Sequence, residues 1–258
     1  MTRAHGASAG VVRLTREGAV ARLVLDHPGK LNAMTRAMWR ELRAHALALQ
    51  ASDARCVLIE GAGDAFCAGG DIAEYPEFRF AEASLQAFHE DDVWGALRAL
   101  IDCDVPMVAS IHGACMGAGV EIASCCDIRM AAASARFGAP IARLGFPMAP
   151  REAQLVARAA GGPTAREMLL SAAVLDAQQM LQRGFLHHVL DDGQRAAAVQ
   201  GVVDRICALA PQAARLNKVT LRALAQGQWP ERPYAYADSA EHREGVDAFL
   251  GKRPARFD

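Results

Sequence analysis

Near the start of the chain two apolar runs, Val11, Val12 and Leu14, then Val20, Leu23, Val24 and Leu25, flank the polar turn Thr15-Arg-Glu-Gly18. That spacing predicts an antiparallel hairpin turning at Glu17-Gly18 and ended by Asp26-His-Pro-Gly29. Thr35 is then placed to cap a helix whose apolar face is Met38, Leu42, Ala46 and Leu49. Cys56-Val-Leu-Ile59 reads as a buried strand. Phe80 to Ile101 reads as one long helix with Leu85, Phe88, Val93, Leu97, Leu100 and Ile101 inward, preceded by an aromatic-bearing stretch, Glu74 to Phe80, suited to lining a pocket. Pro106 to Ile111 is a second buried strand and Asp127 to Met130 a third, with Ala135 to Ile141 running into a further turn. Beyond Pro150 the pattern turns helical: a helix from Gly161-Gly-Pro163 through Leu170, one capped by Asp176 and ending near Gly184, a brief extended piece at His188-Val-Leu190, helices from Arg195 to Leu209 and after Pro211, and an amphipathic tail from Ala235 to Leu250. Strand and turn before about residue 150, helix after it: this predicts an α/β core with a helical cap or assembly layer.

The sharpest chemistry lies at Gly113-Ala-Cys-Met-Gly117-Ala118-Gly119-Val120-Glu121, where a β-branched strand leaves through glycines into an apolar helix. Glu121 is the only charge between His112 and Asp127. If the helix is buried the carboxylate is buried with it, and an unpaired buried carboxylate is costly unless chemistry uses it. Free amides at the start of the same helix can hold an oxygen that gains negative charge. A second glycine loop, Glu60 to Ile72, also follows a strand. Phe66 stands where a dinucleotide fingerprint needs a small residue, and no Gly-Lys-Ser/Thr follows, so nucleotide binding finds little support. The two loops instead fit one site, each presenting an amide.

Composition narrows the classes. The chain has 258 residues, 52% hydrophobic and 22% charged, with a formal net charge of −1. No overall field draws nucleic acid or an anionic membrane. Arg36, Arg40, Arg43 and His45 on the first helix read as a solvated face, with RNA or phosphate contact as the alternative; His89, Glu90, Asp91 and Asp92 read likewise as a solvated face. The 7 cysteines show neither a Cys-x-x-Cys pair nor a zinc spacing, which suits reduced thiols, a cytoplasmic location and no metal. Met1 to Gly10 lacks the apolar core of a signal peptide, and no run reaches the length of a membrane span.

Five segments together carry a resemblance: His27-Pro-Gly-Lys-Leu-Asn-Ala-Met34, Ala65-Phe-Cys-Ala-Gly-Gly-Asp-Ile72, His112-Gly-Ala-Cys-Met-Gly-Ala-Gly-Val-Glu121 with Cys126-Asp127, Ala135-Arg-Phe-Gly138, and Glu244-Gly-Val-Asp-Ala-Phe-Leu-Gly-Lys-Arg253. In this order they resemble the crotonase, or enoyl-CoA hydratase/isomerase, superfamily over nearly the whole chain. The resemblance implies a crotonase-like spiral of ββα units over residues 1–195 and a C-terminal helical oligomerisation region over 196–258, assembled as a homotrimer or hexamer. It implies an acyl-CoA thioester substrate, coenzyme A being part of the substrate and no separate cofactor being needed. It also implies an oxyanion hole from the amides of Ala68 and Ala118, Glu121 as acid–base, and coenzyme A contacts from Lys30, Leu31, Ala68, Asp71 and Ile72, with Lys252 or Arg253 reaching a neighbouring subunit's coenzyme A or lying in a solvated tail.

One position departs. Hydratases of the family carry a second glutamate after the proline of the Phe-Gly-x-Pro turn, and here that residue is Ile141. A single acid suits a 1,3-proton shift or another enolate reaction better than addition of water. Glu74 and Asp92 are candidates for a substitute acid. Arg143 is expected to pair with Glu121 or to meet a substrate carboxylate. The other reading is a catalytically impaired crotonase homologue that binds acyl-CoA, or RNA through Arg36 to Arg43.

Overall fold

The structure, a computed structural model, describes residues 9–257; the reading of the N-terminal segment lies outside them at residues 1–8. β1 (Val11–Glu17) and β2 (Val20–Asp26) form the expected hairpin, with Glu17 opposite Val20. The later strands are β3 (Cys56–Gly61), β4 (Met107–Ile111), β5 (Ala114–Met116), β6 (Ile128–Ala132), β7 (Arg136–Gly138), β8 (Val174–Asp176) and β9 (His188–Leu190). They divide between a six-stranded sheet, β1-β2-β3-β4-β6-β9, parallel from β2 onward, and a three-stranded sheet, β5-β7-β8. Two successive turns of chain each place one strand in the large sheet and the next in the small one: β4 then β5, and β6 then β7. That is the spiral the resemblance implies.

A parallel sheet must be covered on both faces. Helix α1 (Arg36–Gln50), capped by Thr35, whose side chain accepts from the Met38 amide at 3.1 Å, lays Met38, Trp39, Leu42, Ala46 and Leu49 into the core beside Leu23, Leu25, Val57 and Ile59. The long helix expected over 80–101 is subdivided. A 3₁₀ turn at Ile72–Glu77 precedes α2 (Glu82–Ala87), a wider π turn spans Phe88–Val93, and α3 (Trp94–Asp102) follows. The π turn interrupts the helical register, so the 89–92 stretch is a solvated face only in part: Glu90 and Asp91 are exposed, whereas Asp92 is buried, 2.8 Å from Arg36 Nη2 and 2.7 Å from Arg40 Nε. Two of the basic residues considered for RNA contact are thus committed to an internal ion pair.

Past the corner helix α4 (Ala118–Ser124) come α5 (Pro150–Ala160), α6 (Gly162–Leu170) and α7 (Ala177–Gln182), the last opened by an Asp176/Gln179 capping box. The division at 195/196 falls inside the packed core. In α8 (Arg195–Cys207), Val199, Val202 and Val203 pack on Cys56, Leu58, Val108 and Met130, closing the second face of the sheet. The outer layer begins only at α9 (Pro211–Ala225). That helix turns cations inward: Arg215 bonds the Ser52 and Ala54 carbonyls, Lys218 reaches Asp127 at 2.8 Å and the Val105 carbonyl at 2.9 Å, and Arg222 reaches Asp104 at 2.6 Å. Its leucines face out, Leu221 being 68% exposed, and α10 (Ala240–Leu250) likewise exposes Phe249 and Leu250. Among the described residues no helix is long and apolar enough to cross a membrane.

Asn32, buried and at φ +61°, ties the loop after β2 to the loop after β3. Its Oδ1 accepts from the His27 amide at 2.9 Å, and its Nδ2 donates to the Ala62 and Ala65 carbonyls at 2.8 and 2.7 Å. Asn32→Asp keeps the shape but sets an acceptor against two carbonyls, one buried and one half-buried. It is expected to lower unfolding stability by roughly 2–3 kcal/mol in urea titrations, whereas a change within 0.5 kcal/mol means the loops are held elsewhere.

Candidate active site

The corner is built by close backbone approach. Gly117 has φ +46° and ψ −108°, a conformation closed to side-chain-bearing residues, and its amide donates to the Gly138 carbonyl at 2.9 Å. A Cβ on Gly119 would stand 2.6 Å from the Cys67 carbonyl. Both glycines let α4 start hard against the loop after β3, where the Cys67 amide bonds the Ala114 carbonyl at 2.9 Å and the Met116 amide bonds the Cys67 carbonyl at 2.8 Å. The two glycine loops therefore meet, as the sequence suggests.

A cavity of about 320 Å³ opens at this junction, lined by Ala68, Gly69, Gly117, Ala118 and Glu121 on one side. The segment 72–93 supplies Tyr75, Arg79 and His89, and the chain from 140 to 152 supplies Ile141, Phe146 and Glu152. Tyr75, Arg79, His89 and Phe146 also border a larger cavity of about 840 Å³. The Glu121 carboxyl is held well above the usual glutamate range, first by burial and then by the charge on Glu152, with Arg79 acting against both. Arg79 lies between two rings, its Cζ 4.2 Å from the Tyr75 centroid and 3.8 Å from that of Phe146. Its Nη1 is buried and has no hydrogen-bond partner among the described residues. Cys67, buried beside the corner, has its thiol pushed up to about 12 by burial, so it offers no nucleophile. All seven cysteines are free.

The predicted residues fare differently. The Ala118 amide, first of α4, has no acceptor among the described residues. The Ala68 amide does have one: it donates to the Leu31 carbonyl at 2.9 Å, a carbonyl turned inward by the left-handed backbone of Leu31 at φ +47°. Lys30 Nζ lies 3.5 Å from Asp71 Oδ1, and the exposed side chains of Leu31 and Ile72 flank that pair. Arg143 does not pair with Glu121; it lines the cavity and bonds the Ala172 carbonyl at 3.3 Å, and Arg79 is the cation that acts on Glu121. Neither proposed substitute acid reaches the cavity. Glu74 accepts from the Arg36 amide at 2.8 Å, and Asp92 is held by Arg36 and Arg40. At the far end Arg253 forms two bonds with Glu244, 2.6 and 2.7 Å, which pull the Glu244 carboxyl down to about 2.

The residue that sequence reasoning missed is Glu152, only 2% exposed, with Oε1 3.2 Å from His89 Nδ1. A signal was present. Glu152, Val156 and Ala160 recur every four residues and are the buried positions of α5, which places a carboxylate on an apolar stripe.

A family described as Enoyl-CoA hydratase/isomerase matches residues 15–258. Among curated proteins the chain is similar to the 2,3-dehydroadipyl-CoA hydratase of Escherichia coli K12, 31% identical over 95% of this chain and 97% of the relative. It is also similar to the crotonyl-CoA hydratase of Syntrophomonas wolfei, 28% identical over 95% of this chain and 96% of that protein. Among solved structures, an enoyl-CoA hydratase/carnithine racemase from Magnetospirillum magneticum superposes with a TM-score of 0.92 at 34% identity, covering 97% of this chain and 96% of that one.

Folding raises the Glu121 pKa, so the native state binds this proton more tightly than the unfolded chain. The associated stability is full below the ordinary glutamate range and is lost as pH rises through the raised value. Glu121→Gln fixes the neutral form at every pH. Thermal melts are expected to show the variant gaining on wild type as pH climbs from about 4 to about 8, each kcal/mol appearing as about 2–4 °C; a difference that stays flat with pH means Glu121 holds no extra proton.

Proposed function

The chain belongs to the enoyl-CoA hydratase/isomerase family, and on that premise we propose that it processes acyl-CoA thioesters through an enolate-like intermediate, with Glu121 carrying the proton at the carbon beside the thioester carbonyl. The observation that carries this reading is the buried Glu121 carboxyl opening on the same cavity as the unbonded Ala118 amide. The thioester oxygen accepts from Ala118 and takes the place of the Leu31 carbonyl on Ala68. Each preorganised amide contributes roughly 3 kcal/mol to the charged intermediate. Leu31 is suited to yield, because its side chain is half exposed and its backbone sits in a region disfavoured for a residue with a Cβ.

Coenzyme A runs along Lys30, Leu31, Asp71 and Ile72, a reading supported by the Lys30–Asp71 pair at 3.5 Å, by the exposed side chains of Leu31 and Ile72, and by Ile72 lining the cavity. Arg253 already has a partner in Glu244, which leaves Lys252 as the freer cation for a neighbouring subunit's coenzyme A. Assembly as a trimer or a pair of trimers is supported by the outward leucines of α9 and the apolar face of α10. The free cysteines fit a reducing, cytoplasmic setting. A scaffold that binds acyl-CoA without turning it over is the competing reading, favoured by Ile141.

Two measurements separate these. Incubating the protein with crotonyl-CoA or a 3-enoyl-CoA in deuterated water is expected to place solvent deuterium on the acyl carbon. Glu121→Gln is expected to slow that incorporation by ~10²–10⁴ with little change in KM; an unaltered rate removes Glu121 from the chemistry, and binding without incorporation by wild type establishes the scaffold reading. For assembly, light scattering is expected to give a trimer or hexamer and Leu221→Glu with Phe249→Glu a smaller species. A monomeric wild type rules assembly out.

A further inference from the structure

Ile141 removes the acid expected on the chain after β7, yet the cavity contains a second carboxylate supplied by a different element. Glu152 sits on the third residue of α5, nearly fully buried, and lines the cavity together with Glu121, Ala118 and Ile141. The ionisable side chains facing that cavity are Glu121 from α4, Tyr75 and Arg79 from the segment after β3, His89 from the π turn, and Arg143 from the 3₁₀ turn Pro140–Leu144. Neighbouring Glu90 is turned to Arg151 at 2.9 Å and is spent there.

The bonds around His89 have a fixed polarity. Arg79 Nη2 lies 3.4 Å from His89 Nε2, and a guanidinium has only hydrogens to offer. Nε2 therefore accepts, the ring proton sits on Nδ1, and Nδ1 donates to Glu152 Oε1 at 3.2 Å. The Arg79–His89–Glu152 chain presents Glu152 to the cavity as a proton acceptor, with one oxygen anchored and the other uncommitted. None of the described residues donates a second bond to it.

We propose that Glu152 is a catalytic proton acceptor of this cavity, oriented by His89 and Arg79, and that with Glu121 it equips the site to add water across a 2-enoyl-CoA double bond. The inference rests on the acyl-CoA reading above. In the forward step the water oxygen bonds to C3 and the C2–C3 π bond breaks, its electron pair passing to the thioester oxygen held by the amides. The released water proton goes to Glu152. As the carbonyl reforms, Glu121 delivers its proton to C2; one proton then returns from Glu152 to Glu121 through solvent, and the net change is one water added. His89 is a positioning residue here, since it acts only through Glu152.

The test uses the full chain with crotonyl-CoA in ordinary and deuterated water, following hydration and C2 deuteration separately. Wild type is expected to hydrate. Glu152→Gln is expected to lose ~10²–10⁴ in kcat for hydration with KM within threefold, while Glu121-dependent deuterium exchange into the CH₂ beside the thioester of 3-hydroxybutyryl-CoA persists. Should Glu152→Gln fold poorly, Glu152→Asp retains the charge but withdraws the carboxylate by one methylene, and is expected to lose at least tenfold in kcat. A purely structural Glu152 gives the opposite pattern, a lower melting temperature with kcat kept. Hydration by wild type with kcat of both variants within threefold overturns the role of Glu152 and leaves the acyl-CoA reading intact, as does deuterium exchange by wild type without hydration. Neither hydration nor exchange overturns both.

Discussion

The hydrogen bonds between successive turns of the chain are the constraint on which the rest depends. Phe66 and Cys67 bond back to His112 and Ala114, Met116 bonds to Cys67, Gly117 to Gly138, and Arg136 to Gly113, all within 2.8–2.9 Å. These bonds are made by backbone groups, so they specify no side chains, but they force segments far apart in sequence into van der Waals contact. Gly119 is needed because a Cβ there would stand 2.6 Å from the Cys67 carbonyl, and Gly117 because its φ of +46° is closed to residues that carry a Cβ. The outcome is a rigid corner from which one amide and one carboxylate project into the same small space. An interior that dense has few ways to relax around a misplaced group.

Electrostatics then decides what the corner can do. Two carboxylates, Glu121 and Glu152, share the cavity with the half-buried guanidinium of Arg79, the exposed one of Arg143, and a histidine that Arg79 polarises. Arg79 is itself desolvated and held between Tyr75 and Phe146, and burial lowers its pKa. Arg79 opposes the rise in the Glu121 pKa without cancelling it, and the cost of burial falls on Glu121, whose carboxyl has no hydrogen-bonding partner among the described residues. The two carboxyls thus sit in different surroundings, Glu121 without a hydrogen-bond donor among the described residues and Glu152 held by the His89 ring N–H.

How much of this was legible follows from which physical signals are local. The hairpin, the Thr35 cap, the Asp176 cap and the glycine corner are local, written in residues whose backbone or capping demands hold wherever they sit. The isolation of Glu121 in an apolar helix was equally plain. The burial of Asp92 was not, because a π turn at Phe88–Val93 breaks the 3.6-residue period on which the reading of a solvated face relied. The bond from Ala68 to Leu31 depends on a non-glycine residue adopting a left-handed backbone, which no residue type announces. On α9 the rule of apolar inward was reversed, since the helix docks on loop carbonyls and on Asp104 and Asp127, groups that a cation satisfies and a leucine does not. Glu152 was hidden by habit: its position on the Val156 and Ala160 stripe was readable, but a glutamate after Pro150 looks like an ordinary first-turn acid.

The parts of the site differ in how firmly the fold holds them, and that difference has a consequence for function. Ala118 and Glu121 stand on α4 and Glu152 on α5, helices packed against each other in the core, so the reacting groups share a rigid frame. Tyr75, Arg79 and His89 come instead from a stretch of 3₁₀ and π turns, where backbone bonds are less favourable than in a regular α-helix. These same residues separate the inner cavity from the larger one beside it. On the proposed reading, packed helices carry the proton chemistry and an irregular segment shapes the acyl space. On the same reading, a change at an exposed lining position such as Ile72 alters which chain fits without touching the proton chemistry, whereas Arg79 and His89 belong to both, since they line the cavity and form the chain of bonds to Glu152. The proposed chemistry therefore couples acyl selection to proton transfer through those two residues.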